Sequence, residues 1–423
     1  MKKKAMKSLL CMTCLILSFV LLLTACSSLN FRSGMEKDEG NVVYNVIDNG
    51  SLVITNEGTG IPEATAKAFR SSVSIYSMFP ASSSSQIGGR FPGSSSNSNA
   101  TAYASMGSGI IYKMDKLNGD AFIVTNYHVV YNSPNAGNGA AGGISEDIEI
   151  YLYGSEIEGK GIKATFVGGS AYYDVAVLYV NDSDLLRESD ACALDVADSD
   201  AIFAGDTAIA VGNAKGYGIS ASFGVVSVES EYVTTTTLDG TDEQIMRFMR
   251  VDTAVNSGNS GGGIFDKEGN LIGIVDLKIV SEAVENIAYA IPSNVVTAVA
   301  DNIIDNCYGT ELKNVQRGIV GISVIITDSK AVYDEQTGMM SIVETVTVEE
   351  VSEGTLADGV LKEGDVFVSV TLNGKTKSIT RQHHIIDFSL DFRVGDTVSF
   401  NILRNGEEKT VSVKITEDCL MEY

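Results

Sequence analysis

Asn256-Ser257-Gly258-Asn259-Ser260-Gly261-Gly262-Gly263 sets one serine among glycines, directly after a turn-forming Asn. The physical need behind such a stretch is close backbone approach. A tetrahedral acyl-transfer intermediate puts an oxyanion about 3 Å from two or more backbone N–H groups, and side chains at 258 or 261 would crowd it. The amides of Gly258 and Ser260 are the expected oxyanion-hole donors, with Asn259 shaping the turn between them. A serine hydroxyl is a poor nucleophile by itself, so a base must lie within hydrogen-bond reach.

The chain has three histidines. His383 and His384 are neighbours near the C-terminus, whereas His128 follows the apolar run Ile123-Val124-Thr125-Asn126-Tyr127. A strand that delivers a His to a polar turn suits a base, so His128 is the candidate. A third group must fix the imidazole tautomer. Asp174, ahead of Val175-Ala176-Val177-Leu178, opens what reads as an alternating apolar strand and can be buried against the imidazole N–H. Singly, each feature has a plain structural reading: a Gly-rich hairpin, a structural His at a strand end, a turn Asp. Together they run His128, Asp174, Ser260, the order of chymotrypsin-like barrels, whereas hydrolases with a nucleophile elbow run Ser, acid, His.

The chain resembles the HtrA (Deg) serine endopeptidases. The resemblance is carried by Thr125-Asn126-Tyr127-His128-Val129-Val130, Asp174-Val175-Ala176-Val177-Leu178, Gly212-Asn213-Ala214-Lys215-Gly216, Gly258-Asn259-Ser260-Gly261-Gly262 and Ala290-Ile291-Pro292-Ser293-Asn294. With the tail described below it covers roughly residues 64 to 418. Two positions depart from the family pattern: Ala214 stands where Pro is usual, and Ser257 where Arg is usual.

Short β-patterned runs recur at 109–112, 121–125, 148–152, 164–167 and 175–180, and again at 207–211, 222–228, 248–251, 271–275 and 287–291. Repeated strands with Gly-rich turns predict a mostly β chain with two barrels, the triad bridging them. Pro292-Ser293 opens a helix with Val296, Val299, Ile303 and Ile304 on its apolar face, expected to close the protease domain at 64–310. Ala64 to Phe69 reads as a short helix before that domain's first strand, 73–76. Residues 80–101 turn to Ser, Gly and Asn, a composition that buries too little apolar surface to order itself, and read as a flexible insertion.

The tail at 315–418 is similar to the PDZ domain (α+β) of the same family. Arg317-Gly318-Ile319-Val320-Gly321-Ile322, Leu361-Lys362-Glu363-Gly364-Asp365-Val366, Val394-Gly395-Asp396-Thr397-Val398 and Ile402-Leu403-Arg404-Asn405-Gly406 carry the likeness. In PDZ domains an extended peptide adds a strand to a sheet edge and its carboxylate meets backbone amides. The resemblance assigns that carboxylate loop to Ile319, Val320, Gly321 and Ile322. His383 and His384 fall at the start of the expected groove helix and read as solvent-facing.

The 423 residues suffice for two or three domains. Lys2, Lys3, Lys4 and Lys7 precede an apolar run from Leu9 to Leu23, then Leu23-Thr24-Ala25-Cys26. That tetrapeptide resembles a bacterial lipobox, implying a signal peptide at 1–25, lipidation of Cys26 and a tether at 26–63; an uncleaved anchor or a plain signal peptide is the alternative. Either way the chain reads as extracytoplasmic, in a bacterial cell envelope. The formal charge is −24, and without residues 1–25 there are 26 basic against 54 acidic side chains, near −28. Such a surface repels phosphate backbones, and no basic patch with interleaved aromatics occurs, so nucleic acid is an excluded partner. Cys11 and Cys14 lie inside the apolar run, and Cys192, Cys307 and Cys419 are widely spaced, implying neither a disulfide framework nor a zinc site. No metal and no cofactor are expected. Gly212 to Gly218 lacks the Gly-Lys-Ser/Thr ending of a P-loop, so proteolysis should need no ATP.

The chemistry implied is peptide-bond hydrolysis of unfolded protein or peptide substrates. Ala254 stands six positions before the serine, where a basic-residue protease of this fold keeps an Asp at the pocket floor. Small or medium apolar side chains are therefore expected before the cut. The resemblance further implies a homotrimer, C-terminal peptides as ligands of the PDZ groove, and ordering of loops at 256–259 and 277–286 by such peptides. Two other classes stay open: a chaperone or peptide-binding scaffold with latent activity, and an esterase using the same triad.

Overall fold

A computed structural model describes residues 46–48, 51–53, 60–80, 102–132, 141–155, 159–238, 243–276 and 287–422. The expected signal peptide at 1–25, Cys26, all but Pro80 of the insertion expected at 80–101, and the loop at 277–286 lie outside the described residues. Of the N-terminal unit, 1–58, a single antiparallel pair is described, β1 (Val46–Asp48) with β2 (Ser51–Val53).

The second unit, 59–423, is mostly β. It opens on helix α1 (Ile61–Ser71), which has Pro62 in its first turn, where a missing N–H costs nothing, and buries Ala64 and Ala68. Six antiparallel strands then close a barrel: β3 (Ser72–Pro80), β4 (Ala102–Asp115), β5 (Asp120–Thr125), β6 (Asp147–Leu152), β7 (Ile162–Ser170) and β8 (Val175–Val180), in the order β3-β4-β5-β8-β7-β6. Strands β3 and β4 stay paired out to Pro80 opposite Ala102. Between β5 and β6 runs a one-turn helix, α2 (Tyr127–Val130), and after β8 comes α3 (Asp184–Glu188).

A second six-stranded barrel follows from β9 (Thr207–Gly212), β10 (Ser220–Thr236), β11 (Glu243–Val251), β12 (Gly263–Phe265), β13 (Leu271–Asp276) and β14 (Ala288–Pro292), in the order β10-β11-β14-β13-β12-β9. Each barrel has its own interior. Val73, Ile75, Ile123, Ile150 and Leu178 fill the first, and Ala208, Val226, Met249, Ile264 and Ile272 the second. A third cluster joins them, because residues of the opposite parity on the same strands, Ile110, Val124 and Val177 on one side and Ile209, Val211 and Phe265 on the other, turn outward and meet. Helix α4 (Ser293–Cys307) covers this seam with Val295, Val296, Val299 and Ile303, each such side chain contributing about 1.5–3 kcal/mol by its burial. Strand β8 is therefore buried on nearly its whole length, not in the half-exposed alternation its sequence predicts.

The C-terminal module contains β15 (Gln316–Gly318), β16 (Ile322–Asp334), β17 (Met339–Val351), β18 (Val366–Leu372), β19 (Lys375–Ser378), β20 (Thr397–Arg404), β21 (Glu407–Lys414) and β22 (Leu420–Glu422). The main sheet runs β16-β17-β18-β20-β21, with β19 on β18, and β22 returns to pair with β15. Helix α5 (Gln382–Phe388) lies beside β16, and Phe367, Phe392 and Phe400 fill the core between them.

Candidate active site

Strand β5 ends at Thr125, as its sequence predicts, and His128 stands in the short helix α2 that forms the turn after it. Val129 and Val130, which look like a continuation of β5, turn into the first barrel's core and are 1% and 0% exposed. Their burial pins the turn and leaves His128 at its start. Asp174 immediately precedes β8 with φ 49°, the left-handed region that Asp tolerates better than most residues. The side-chain amide of Asn126 donates to the Asp174 carbonyl at 2.9 Å and holds that conformation.

The Asp174 carboxylate meets His128 twice. Oδ1 accepts the His128 backbone N–H at 2.9 Å, and Oδ2 lies 2.5 Å from His128 Nδ1. Asp174 is 1% exposed and the imidazole partly exposed, so a buried acid faces Nδ1 of a ring that solvent can reach.

The turn from Asn256 to Gly262 belongs to the second barrel but is fastened to the first. Ser108 on β4 donates its amide to the Ser260 carbonyl at 2.8 Å and its hydroxyl to the Gly258 carbonyl at 2.7 Å, and its Oγ accepts the Asn213 amide at 2.8 Å. Gly258 and Gly261 have φ of 99° and 78°. A Cβ on Gly258 would lie 2.2 Å from the Asn213 carbonyl oxygen, and one on Gly261 2.3 Å from the Ser108 carbonyl oxygen. The glycines are thus required to seat the turn against its neighbours, a closer constraint than room for an oxyanion. Asn259 donates its amide to the Asn256 carbonyl at 2.9 Å, so its N–H serves the turn. Among the described residues, no backbone acceptor ties up the amides of Gly258 and Ser260. Because Gly261 also backs onto Thr125 and Asn126, the serine and the histidine turns share the seam between the barrels.

Ala254 is exposed at the start of this segment, its carbonyl accepting the Ser222 hydroxyl at 2.7 Å. Two residues of the site were not singled out in the sequence, Ser108 and Asp276, and Asn213 stood in a quoted motif without a role. The signal for Ser108 was the small-residue run Gly107-Ser108-Gly109, and for Asp276 an acid ending an otherwise apolar strand.

A trypsin-like peptidase domain matches residues 107–274. Over 380 residues the chain is 33% identical to the serine protease Do-like HtrA of Lactococcus lactis subsp. cremoris, covering 87% of this chain and 85% of that protein. It is 30% identical to the corresponding Bacillus subtilis protein, covering 77% and 67%. The chain belongs to the HtrA family of serine proteases. An HtrA-type protease AlgW solved with a tripeptide superposes with a TM-score of 0.50 at 25% identity, covering 85% of this chain and 97% of that one. This HtrA-family chain is accordingly a serine endopeptidase.

The C-terminal module of this HtrA-family chain carries a cavity of about 100 Å³ lined by Ile319, Val320, Gly321, Ile322, Ile385 and Ile386. Within that loop the Ile319 amide donates to the Cys419 carbonyl at 2.8 Å, so it is not available to a ligand. The reading of His383 and His384 as solvent-facing is corrected. Helix α5 turns Ile385 and Ile386 to the cavity and His383, 4% exposed, to the second barrel, where its Nε2 lies 3.3 Å from an Asp200 oxygen. Asp200 also takes Arg247 at 2.9 Å and Lys377, and Arg247 bridges onward to Asp387. Burial alone would raise the Asp200 carboxyl, but the His383 hydrogen bond and the charges of Arg247 and Lys377 outweigh it and hold it far below the usual range. Burial drives His383 down to about 3, reinforced by Arg247 and His384, and drives His384 down to about 4.

Proposed function

We propose that this endopeptidase cuts peptide bonds through an acyl-enzyme on Ser260, with His128 as base and Asp174 as its orienting acid. The observation that carries the reading is the 2.5 Å approach of Asp174 Oδ2 to His128 Nδ1 at the seam where the Ser260 turn is fastened. His128 takes the Ser260 proton as Oγ attacks the scissile carbonyl, Asp174 steadies the imidazolium, and the proton passes to the leaving amine. Water then repeats the sequence on the ester. The amides of Gly258 and Ser260 receive the oxyanion. Ala254 in place of an acid supports cleavage after small or medium apolar residues such as Val, Ala or Ile.

The C-terminal module acts in this reading as a PDZ domain that takes C-terminal peptides as an added strand on β16, with Val320 and Gly321 offering amides to the carboxylate. The enzyme works on unfolded or damaged envelope proteins without ATP, as a homotrimer tethered through Cys26. Ser260→Ala should abolish casein cleavage while leaving the unfolding midpoint unchanged. Wild-type turnover by that variant refutes the assignment and favours the peptide-binding scaffold.

A further inference from the structure

Asp276 ends β13 with 1% of its surface exposed. Val275 before it donates its amide to Gly262 at 2.8 Å and accepts from Gly261 at 3.0 Å, so the strand end is bonded to the residues right after Ser260. A ligand atom of Asp276, one of Asp174 and a ring nitrogen of His128 all lie within 4.8 Å of one another. Two carboxyls thus face one imidazole, and both are buried. The ionisable groups set against Asp276 among the described residues include His128 on α2, Asp174 ahead of β8, and Tyr289, its cross-strand partner on β14.

A trio of His and two Asp also invites a metal reading, which the distances oppose. Nδ1 and Oδ2 at 2.5 Å have room for a proton between them, whereas ligands about 2.0–2.2 Å from a zinc ion in tetrahedral array stand about 3 Å or more apart.

We propose that Asp276 is a positioning residue of the catalytic centre, a second carboxylate that brackets the His128 imidazole together with Asp174. Three groups this close titrate as one cluster. The proton that must leave before His128 can accept that of Ser260 is held by two carboxylates in place of one. Two carboxylates this close repel each other, a cost that the imidazolium beside both offsets, since an opposite charge within about 4–6 Å favours the charged form of its neighbour by about 1–3 pH units. The same pair favours the imidazolium that forms as Ser260 attacks. The base is therefore set for a more alkaline working range than a single carboxylate would give.

This inference rests on the Ser260 reading, and the experiment separates the two. The pH dependence of kcat/KM is measured on the full chain and on Asp276→Asn, which keeps shape and removes the charge, with active enzyme counted by a fluorophosphonate. The acid limb of the variant should lie about one to two pH units below that of the wild type. Asp276→Ser, smaller and uncharged, should show the same displacement. Coincident acid limbs overturn the proposal, as does a uniform loss of rate with the limb unmoved, which marks a merely structural acid. A wild-type chain that takes no label on Ser260 overturns the underlying reading instead.

Discussion

Ser108 donates its backbone amide to the carbonyl of Ser260 at 2.8 Å, a bond from the first barrel to the Ser260 turn of the second. Together with the Ser108 hydroxyl on Gly258, it makes the turn's geometry a property of both barrels at once. Gly261 is the tightest point of that contact. Gly261→Ala adds a left-handed non-Gly residue, costing about 1–3 kcal/mol, and a Cβ that must displace Ser108 or Thr125. The unfolding midpoint should fall, and peptide turnover should drop by about tenfold or more, since an error of about 1 Å at the reacting atoms costs about 10²-fold. Unchanged turnover and midpoint in paired thermal and kinetic assays contradict this packing.

Arg247 joins Asp200 of the protease barrels to Asp387 of the C-terminal module, with a side chain 4% exposed. Removing one member of a buried ionic group leaves the others uncompensated, at about 3–5 kcal/mol. Arg247→Ala should lower stability to denaturant by that order and expose the link between the module and the barrels to limited proteolysis. Arg247→Lys keeps the charge but loses the fork that reaches two carboxylates, and should fall between. A loss under about 1 kcal/mol for Arg247→Ala, the range of an ordinary surface change, contradicts the bridge.

The histidine pair gives the same contact a pH dependence. In the unfolded chain His383 and His384 titrate near 6.5, whereas in the fold they stay neutral down to about 3 and about 4. Between those values the unfolded state binds protons that the native state does not, so stability falls as pH drops below about 6.5. Their contribution is complete above that pH. Asp200, held below its ordinary range, adds a loss only under about pH 4. Melting curves should show a steeper decline from pH 7 to pH 5 for the wild type than for His383→Gln with His384→Gln. Parallel declines contradict the buried, neutral state of the pair.

The cavity of the C-terminal module offers a separate test. Ile385 faces it from α5 while being remote in sequence from the triad. Ile385→Lys should weaken binding of a fluorescent C-terminal peptide by about tenfold or more, the cost of placing a charge where an apolar contact of more than 1.4 kcal/mol stood. Undiminished polarisation titrations contradict a peptide site in that groove.

Much of the strand pattern was legible, because most core strands here carry β-branched runs bounded by Gly turns. Strand β12 was not, since three residues fused to the Ser260 turn are too short to show a period. The strand end at Thr125 was legible, but the helical form of the turn at His128 was not, because Val129 and Val130 are apolar for tertiary reasons. His128, Asp174 and Ser260 stood out because the chemistry proposed for them restricts which residue types can serve. Ser108 and Asp276 did not, as their roles arise from which strands become neighbours. His383 and His384 were read as exposed because nothing local records that α5 docks on Asp200.

The most direct test of the central claim is labelling of the full chain with a fluorophosphonate, followed by peptide mapping. The account predicts one adduct, on Ser260, lost in Ser260→Ala and strongly slowed in His128→Ala. An adduct on another residue, or labelling indifferent to His128, would contradict it.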